Sequence, residues 1–225
     1  KSSLCGMTSE SGPNYVDYNH NWFDHSDSRH PRVRTMSVHV WNNYYDGCAK
    51  YGVGATTGSS VFVESNYFRA TKDPMLISLQ GTDAKGSGTF SGENGGMIKS
   101  YGNVYADKGS SSNYTPITQN DDATSFDCYE VSQRNEQVPG SVKTLVGGTA
   151  YDNFDTNSAL MYSYTPDAAT SVPAVVTGWT GAGRMNKGDF KWIFTSADDS
   201  SSAVNNALAS AIDSYQSKLV GISAK

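Results

Sequence analysis

Three arginines and a histidine fall within residues 28–34, the run SRHPRVR, with no acid among them. Guanidinium groups this close repel one another unless an anion sits between them. Their forked donors match the two oxygens of a carboxylate or a phosphate. If the run is a strand, alternation puts Arg32 and Arg34 on one face and Val33 on the other. Pro31 resets the geometry between Arg29 and the rest and favours an extended residue before it. Two readings stand on the motif itself. The arginines bind an anionic ligand, or they form a solvated basic strand paired with acids of the same chain such as Asp24, Asp27 or Glu64. His25, His30 and His39 have the side chain that titrates near neutral pH. None has an evident acid or Cys partner in the sequence, so they read as packing or surface residues, with His39 helping to fill a stack.

The elements that would position the arginines announce themselves by repetition. Asn21-Trp22-Phe23, Asn43-Tyr44-Tyr45 and Asn66-Tyr67-Phe68 repeat an Asn followed by two aromatics, with the Asn residues 22 and then 23 positions apart. Apolar runs precede the second and third in register. A fixed period of this length marks a repeat architecture, and strand-and-turn units point to a parallel β-helix. Equivalent positions of successive coils then lie about 4.8 Å apart. The Asn amides can bond to one another as a ladder, and Asn tolerates the left-handed turn that a coil corner needs. Of the two aromatics, one ring should lie inside the stack and one outside. Asn103-Val104-Tyr105 is an echo 37 residues after Asn66, one coil plus a loop placed at residues 85–96.

The chain has 225 residues and a net charge of −5, a balance that argues against nucleic-acid binding. No apolar run approaches the roughly 18 residues that span a membrane. No linker is evident, so a single domain over 1–225 is expected. The three cysteines, Cys5, Cys48 and Cys128, show no metal-binding spacing and read as buried thiols. Residues 136–195, with several Pro and Gly, should form irregular structure packed on the coils. From a cap at Asp199 or Ser200, apolar residues at Val204, Leu208, Ala211, Ile212, Tyr215 and Leu219 follow helical spacing, with Gly221 as the stop. This amphipathic helix is expected to bury its stripe on the side or end of the coils and cover a strand edge.

The stretches NHNWFDHSDSRHPRVR (19–34), VHVWNNYYDG (38–47) and VFVESNYF (61–68), with KSSLCG at residues 1–6, resemble the polysaccharide lyase family 1 pectate lyases. The segments GTFSGENGGMIKSYGN (88–103) and RNEQVP (134–139) are similar to its bacterial members. The resemblance implies an all-β, right-handed parallel β-helix, secreted and monomeric, that cleaves polygalacturonate by β-elimination. It implies that Arg29 removes the C5 proton and that Arg34 and Lys1 bind substrate carboxylates. Arginine is an unusual base, since its pKa is above 12; neighbouring cations or a metal on the substrate carboxylate would help it. The resemblance also implies Ca²⁺, held by acids on coils that precede the Lys motif. The expectation is therefore a chain lacking its N-terminal coils, with calcium ligands outside it and no lyase activity when isolated, Asp24 and Asp27 being turn acids. A pectin lyase acting on methylated chains is a close variant. A β-helix that binds acidic polysaccharide without cleaving it is the reading from another class, and a structural stalk would leave the arginines unexplained.

Overall fold

The computed structural model describes residues 1–10, 12–85, 90–107, 116–117, 125–178 and 190–216. Strands wind through three parallel sheets. The first holds β1 (Leu4–Cys5), β4 (Arg32–Arg34), β7 (Tyr51–Thr56) and β10 (Asp73–Ile77). The second holds β2 (Tyr15–Asn19), β5 (Ser37–Trp41), β8 (Ser60–Glu64), β11 (Met97–Tyr101), β14 (Cys128–Glu130) and β13 (Pro116–Ile117), in that spatial order. The third holds β3 (Trp22–Asp24), β6 (Tyr44–Asp46), β9 (Tyr67–Arg69) and β12 (Val104–Ala106). One coil takes one strand from each sheet, which is why the sequence repeats every 22 or 23 residues. The fold is the expected parallel β-helix.

The core is built from matching rows. Cys5, Val33, Ala55 and Ile77 are in register across the first sheet and all point inward. Val38, Val61 and Ile98 do the same in the second. In the third sheet Phe23, Tyr45, Phe68 and Tyr105 form the inner aromatic row, with successive centroids 5.2, 4.3 and 5.5 Å apart. Trp22, Tyr44 and Tyr67 form the outer one, as alternation requires. Besides the short helix α1 (Gly81–Lys85), which follows β10, α2 (Val172–Thr177) covers that outer row with Val172 and Val176. The three cysteines are buried and form no disulfide with one another, and burial pushes Cys48 up to about 12.

The Asn ladder is present. The backbone N–H and side-chain amide of Asn21 both donate to Asn43 Oδ1, at 3.1 and 2.9 Å. Asn43 repeats this to Asn66, and Asn66 to Asn103. The left-handed residue lies one position earlier than the sequence suggested, at His20, Asn42, Ser65 and Gly102. The bend precedes the rung because the rung's own N–H must point along the stack to reach the next amide. Two further left-handed rows close the other corners: His25, Gly47, Ala70 and Asp107 after the third sheet, and Gly6, Thr35, Thr57 and Leu79 after the first. Gly6 is obligatory, since a Cβ there would lie 2.0 Å from the Arg34 carbonyl oxygen.

Residues 136–164 strap the second sheet, burying Val138, Tyr151 and Phe154, as expected for irregular structure on the coils; residues 179–189 of the expected range lie outside the described residues. The C-terminal helix differs from expectation. α3 spans Asn206–Asp213 and is capped by Asn205, whose side chain accepts from Leu208 N–H. It buries none of its residues, and Val204 and Ile212 are exposed. The 190–216 segment attaches instead through polar and aromatic contacts, with Phe194 stacked 4.3 Å from the His25 ring. Leu219 and Gly221 lie outside the described residues.

Candidate active site

The register of the first sheet brings the candidate residues together. Ser2 and Ser3 N–H donate to the carbonyls of Ser28 and Arg29, and Leu4 pairs with Arg32. Lys1 therefore lies one coil away from Arg29 although the two are 28 positions apart in sequence, because the loop around Thr8–Asn14 lengthens that coil. Lys1 is exposed and Arg29 half-buried.

Arg29 is left-handed, with φ 67°. A bulky residue in that region is costly and is found where surrounding structure over-determines it, often at functional sites. The bond after it, His30–Pro31, is cis. Burial pushes the Tyr51 phenol up to about 12, while the nearby guanidiniums of Arg29 and Arg32 pull it the other way. His30 is fully buried, and burial pushes its imidazole down to about 4. It is neutral at pH 7 and donates from Nδ1 to the Tyr51 carbonyl at 2.9 Å. Its role is packing, against Phe23 at 4.9 Å.

Arg32 and Arg34 share the outer face and Val33 is inside, as alternation predicted. Their partner was not foreseen. Glu93 accepts from Arg34 Nε at 3.0 and 2.9 Å, from Arg34 Nη2 at 2.5 Å and from Thr57 Oγ1 at 2.9 Å. Arg32 Nη2 lies 2.9 Å from Glu93 Oε2 and also donates to Ser91 Oγ at 2.9 Å. Hydrogen bonds from Arg34 above all hold the Glu93 carboxyl far below the usual carboxylate range. Glu93 belongs to the insert between β10 and β11, which has no coil period to betray it. Phe90 of the same insert lies 5.0 Å from the Tyr51 ring and 5.9 Å from the Arg32 guanidinium. Gly54, in register with Arg32, makes room for it: a Cβ there would lie 2.9 Å from the Phe90 ring.

The acids named as partners in the sequence are engaged elsewhere. Asp27 pairs with Lys50 at 3.1 Å. Glu64 and His39 form a buried pair at 2.7 Å, with His39 Nδ1 2.8 Å from the Tyr162 hydroxyl. His39 also stacks on Phe62 at 5.3 Å. Lys99 and Asp155, both fully enclosed, meet at 2.6 Å. His39 thus has an acid partner on the next coil, and His25 has one in its sequence neighbour Asp24 and another in Asp199 of the C-terminal segment.

Asp24, His25 and Asp46 form a group whose ligand atoms lie within 4.8 Å of one another. Calcium takes six to eight oxygens, and this group does not fit it. Arg69 already pairs with both Asp46 and Asp199, and His25 bridges Asp24 at 2.5 Å and Asp199 at 2.9 Å. Two bases fill the place of a cation. With Asp27 bound to Lys50, the described residues supply no calcium site beside Arg29, and no step is derived through that ion.

A sequence profile of the pectate lyase family matches residues 2–185. A pectate trisaccharide-lyase of Bacillus licheniformis is 32% identical over 77 residues, covering 34% of this chain and 23% of that protein. Pectate lyase E of Dickeya chrysanthemi is 29% identical over 152 residues, covering 64% and 35%. The chain thus spans about a quarter to a third of the length of these relatives. A pectate lyase from Bacillus sp. N165, solved in complex with trigalacturonate, matches over 76% of this chain and 41% of its own, with 21% identity and a TM-score of 0.43. A pectate lyase from Paenibacillus sp. 0602 matches over 82% and 40%, with 16% identity and a TM-score of 0.47. Since the profile spans most of the sequence, arginine motif and coils included, the chain belongs to the pectate lyase family.

Proposed function

We propose that the protein acts on polygalacturonate by β-elimination. A base removes the C5 proton of a galacturonate, the C4–O4 bond breaks, and a C4=C5 double bond forms as the leaving oxygen takes up a proton. Arg29 is the base in this reading. Lys1 holds a substrate carboxylate from the neighbouring coil, and Arg34 holds another. The observation that carries the reading is the register of the first sheet, which sets Lys1 beside Arg29 and faces Arg32 and Arg34 outward. Cations on neighbouring coils and along one strand suit a polymer with one carboxylate per sugar. Such a substrate lies outside the cell, so the protein is read as secreted; no helix among the described residues is long and apolar enough to cross a membrane.

Calcium, which the family resemblance implies, would acidify the C5 proton from the substrate carboxylate. The misfit of Asp24, His25 and Asp46 to that ion favours a second reading, a β-helix that binds acidic polysaccharide without cleaving it. One assay separates the two. Elimination creates a conjugated double bond and a rise in ultraviolet absorbance; binding alone does not. Arg29→Lys should lose most of the turnover with little change in KM, because a role confined to the transition state appears in kcat. Near-normal turnover by Arg29→Lys would remove Arg29 from the mechanism.

A further inference from the structure

The Arg34 guanidinium, offered above as a holder of substrate carboxylate, already holds one. Glu93 approaches it along the fork, engaging Nε and Nη2 together, which is the geometry a uronate carboxylate would use. Arg32 and Thr57 complete the set from the neighbouring position and the next coil. The carboxylate that does this is not part of a coil. It is delivered by residues 90–93 of the insert, which lie over the outer face of the first sheet and are pinned there. Ser78 Oγ donates to the Glu93 carbonyl at 2.7 Å, and Phe90 sits in the space left by Gly54.

We propose that Glu93 is a resident stand-in for a substrate carboxylate: it occupies the Arg34 fork in the free protein, and a galacturonate carboxylate reaches Arg34 only by exchanging with it. The proposal rests on the reading of the cleft given above. Two arginines against one glutamate leave a net charge of one at this end, so a neutral sugar gains nothing by displacing Glu93. A carboxylate can replace each bond it breaks. The resident therefore acts as a selector, because only a ligand that repays the exchange in kind gains the Arg34 fork. A polymer with a carboxylate on Lys1 as well gains from being held at one point while it exchanges at the other. Acidification does not open the fork, because Arg34 keeps Glu93 ionised well below the ordinary range.

The test is calorimetric binding of trigalacturonate, and of the same trisaccharide fully methyl-esterified, to the parent, to Glu93→Gln and to Phe90→Ala. Glu93→Gln should lower Kd for trigalacturonate by about tenfold, the size of one charge-assisted hydrogen bond that the ligand no longer has to replace. Affinity for the ester should stay unchanged. Phe90→Ala loosens the seat of the insert without touching Glu93 and should shift Kd in the same direction by less. It carries the test if the Gln variant folds poorly. Equal affinities of the parent and both variants would overturn the exchange while leaving the cleft reading intact. Failure of all three proteins to bind trigalacturonate would overturn both.

Discussion

Removing the Asp155 carboxylate should strand a positive charge in the driest part of the molecule. Lys99 projects from β11 beneath the strap, with its ammonium donating to Asp155 Oδ2 at 2.6 Å and to the Arg134 carbonyl at 3.0 Å. It lies 4.9 Å from the centre of the Phe62 ring. Neither charged side chain is exposed at all. Asp155 is held in turn by the Tyr151 hydroxyl at 2.8 Å, so the pair fastens the short 3-10 turn Phe154–Thr156 to the second sheet. Breaking a buried pair by deleting one partner costs about 3–5 kcal/mol, whereas replacing both partners by apolar groups is often close to neutral. For a chain of this size 1 kcal/mol corresponds to about 2–4 °C in Tm. Asp155→Asn should therefore lower Tm by about 10 °C, and the double variant Lys99→Met/Asp155→Leu should recover most of that loss. The pH dependence adds a sign. Burial lowers the Lys99 pKa, so its charge is a penalty below the folded pKa that fades as pH rises through it. The loss in Asp155→Asn should accordingly shrink in alkaline buffer. Urea titrations of the parent, Lys99→Met, Asp155→Leu and the double variant would complete the cycle. A cost below about 1 kcal/mol for Asp155→Asn, or a double variant no better than the sum of the singles, would refute the argument that this charge is enclosed and matched.

Two other outcomes are expected. Burial alone would lower the His25 pKa, but hydrogen bonding and charge from Asp24, with Asp46 and Asp199 adding to them, raise it overall. The stabilisation it provides is present below the unfolded value of about 6.5 and is lost as pH rises through the folded value. Proteolysis within residues 190–205 should then be faster at alkaline than at mildly acidic pH, and His25→Gln should abolish the difference; a rate independent of pH in the parent would contradict this. Chelation should remove any elimination activity, and calcium should restore it equally in the parent and in Asp46→Asn. Selective failure of Asp46→Asn to respond to calcium would place the ion where Arg69 and His25 have been assigned.

The sequence revealed what repetition writes into it. Asn21, Asn43, Asn66 and even Asn103 fall on one ladder, because every coil must satisfy the same corner with the same amide. Arg32 and Arg34 fall on one face, because a strand alternates whatever its context. The partners of these residues were hidden for a different reason. Glu93, Tyr162, Asp155 and Asp199 reach the coils from inserts and straps that have no period, and spatial neighbours 59, 123, 56 and 174 residues away leave no mark on spacing. The helix at Asn206 was legible as a helix, since its apolar spacing and its Asn205 cap are local. Where its stripe would go was not, because exposure depends on what else competes for the surface of the coils.

The Asn ladder has one further property. Asn21, Asn43 and Asn66 each donate to the Asn of the higher-numbered coil, and Asn43, Asn66 and Asn103 each accept from the lower-numbered one. Four amide dipoles are therefore aligned head to tail along the axis of the stack, and each polarises the next. The row behaves as a wire with a sense of direction, its electron-rich oxygens all turned toward the first coil. Coils added at either end would meet opposite poles, so the two ends of this β-helix are electrically unlike even where their strands look alike.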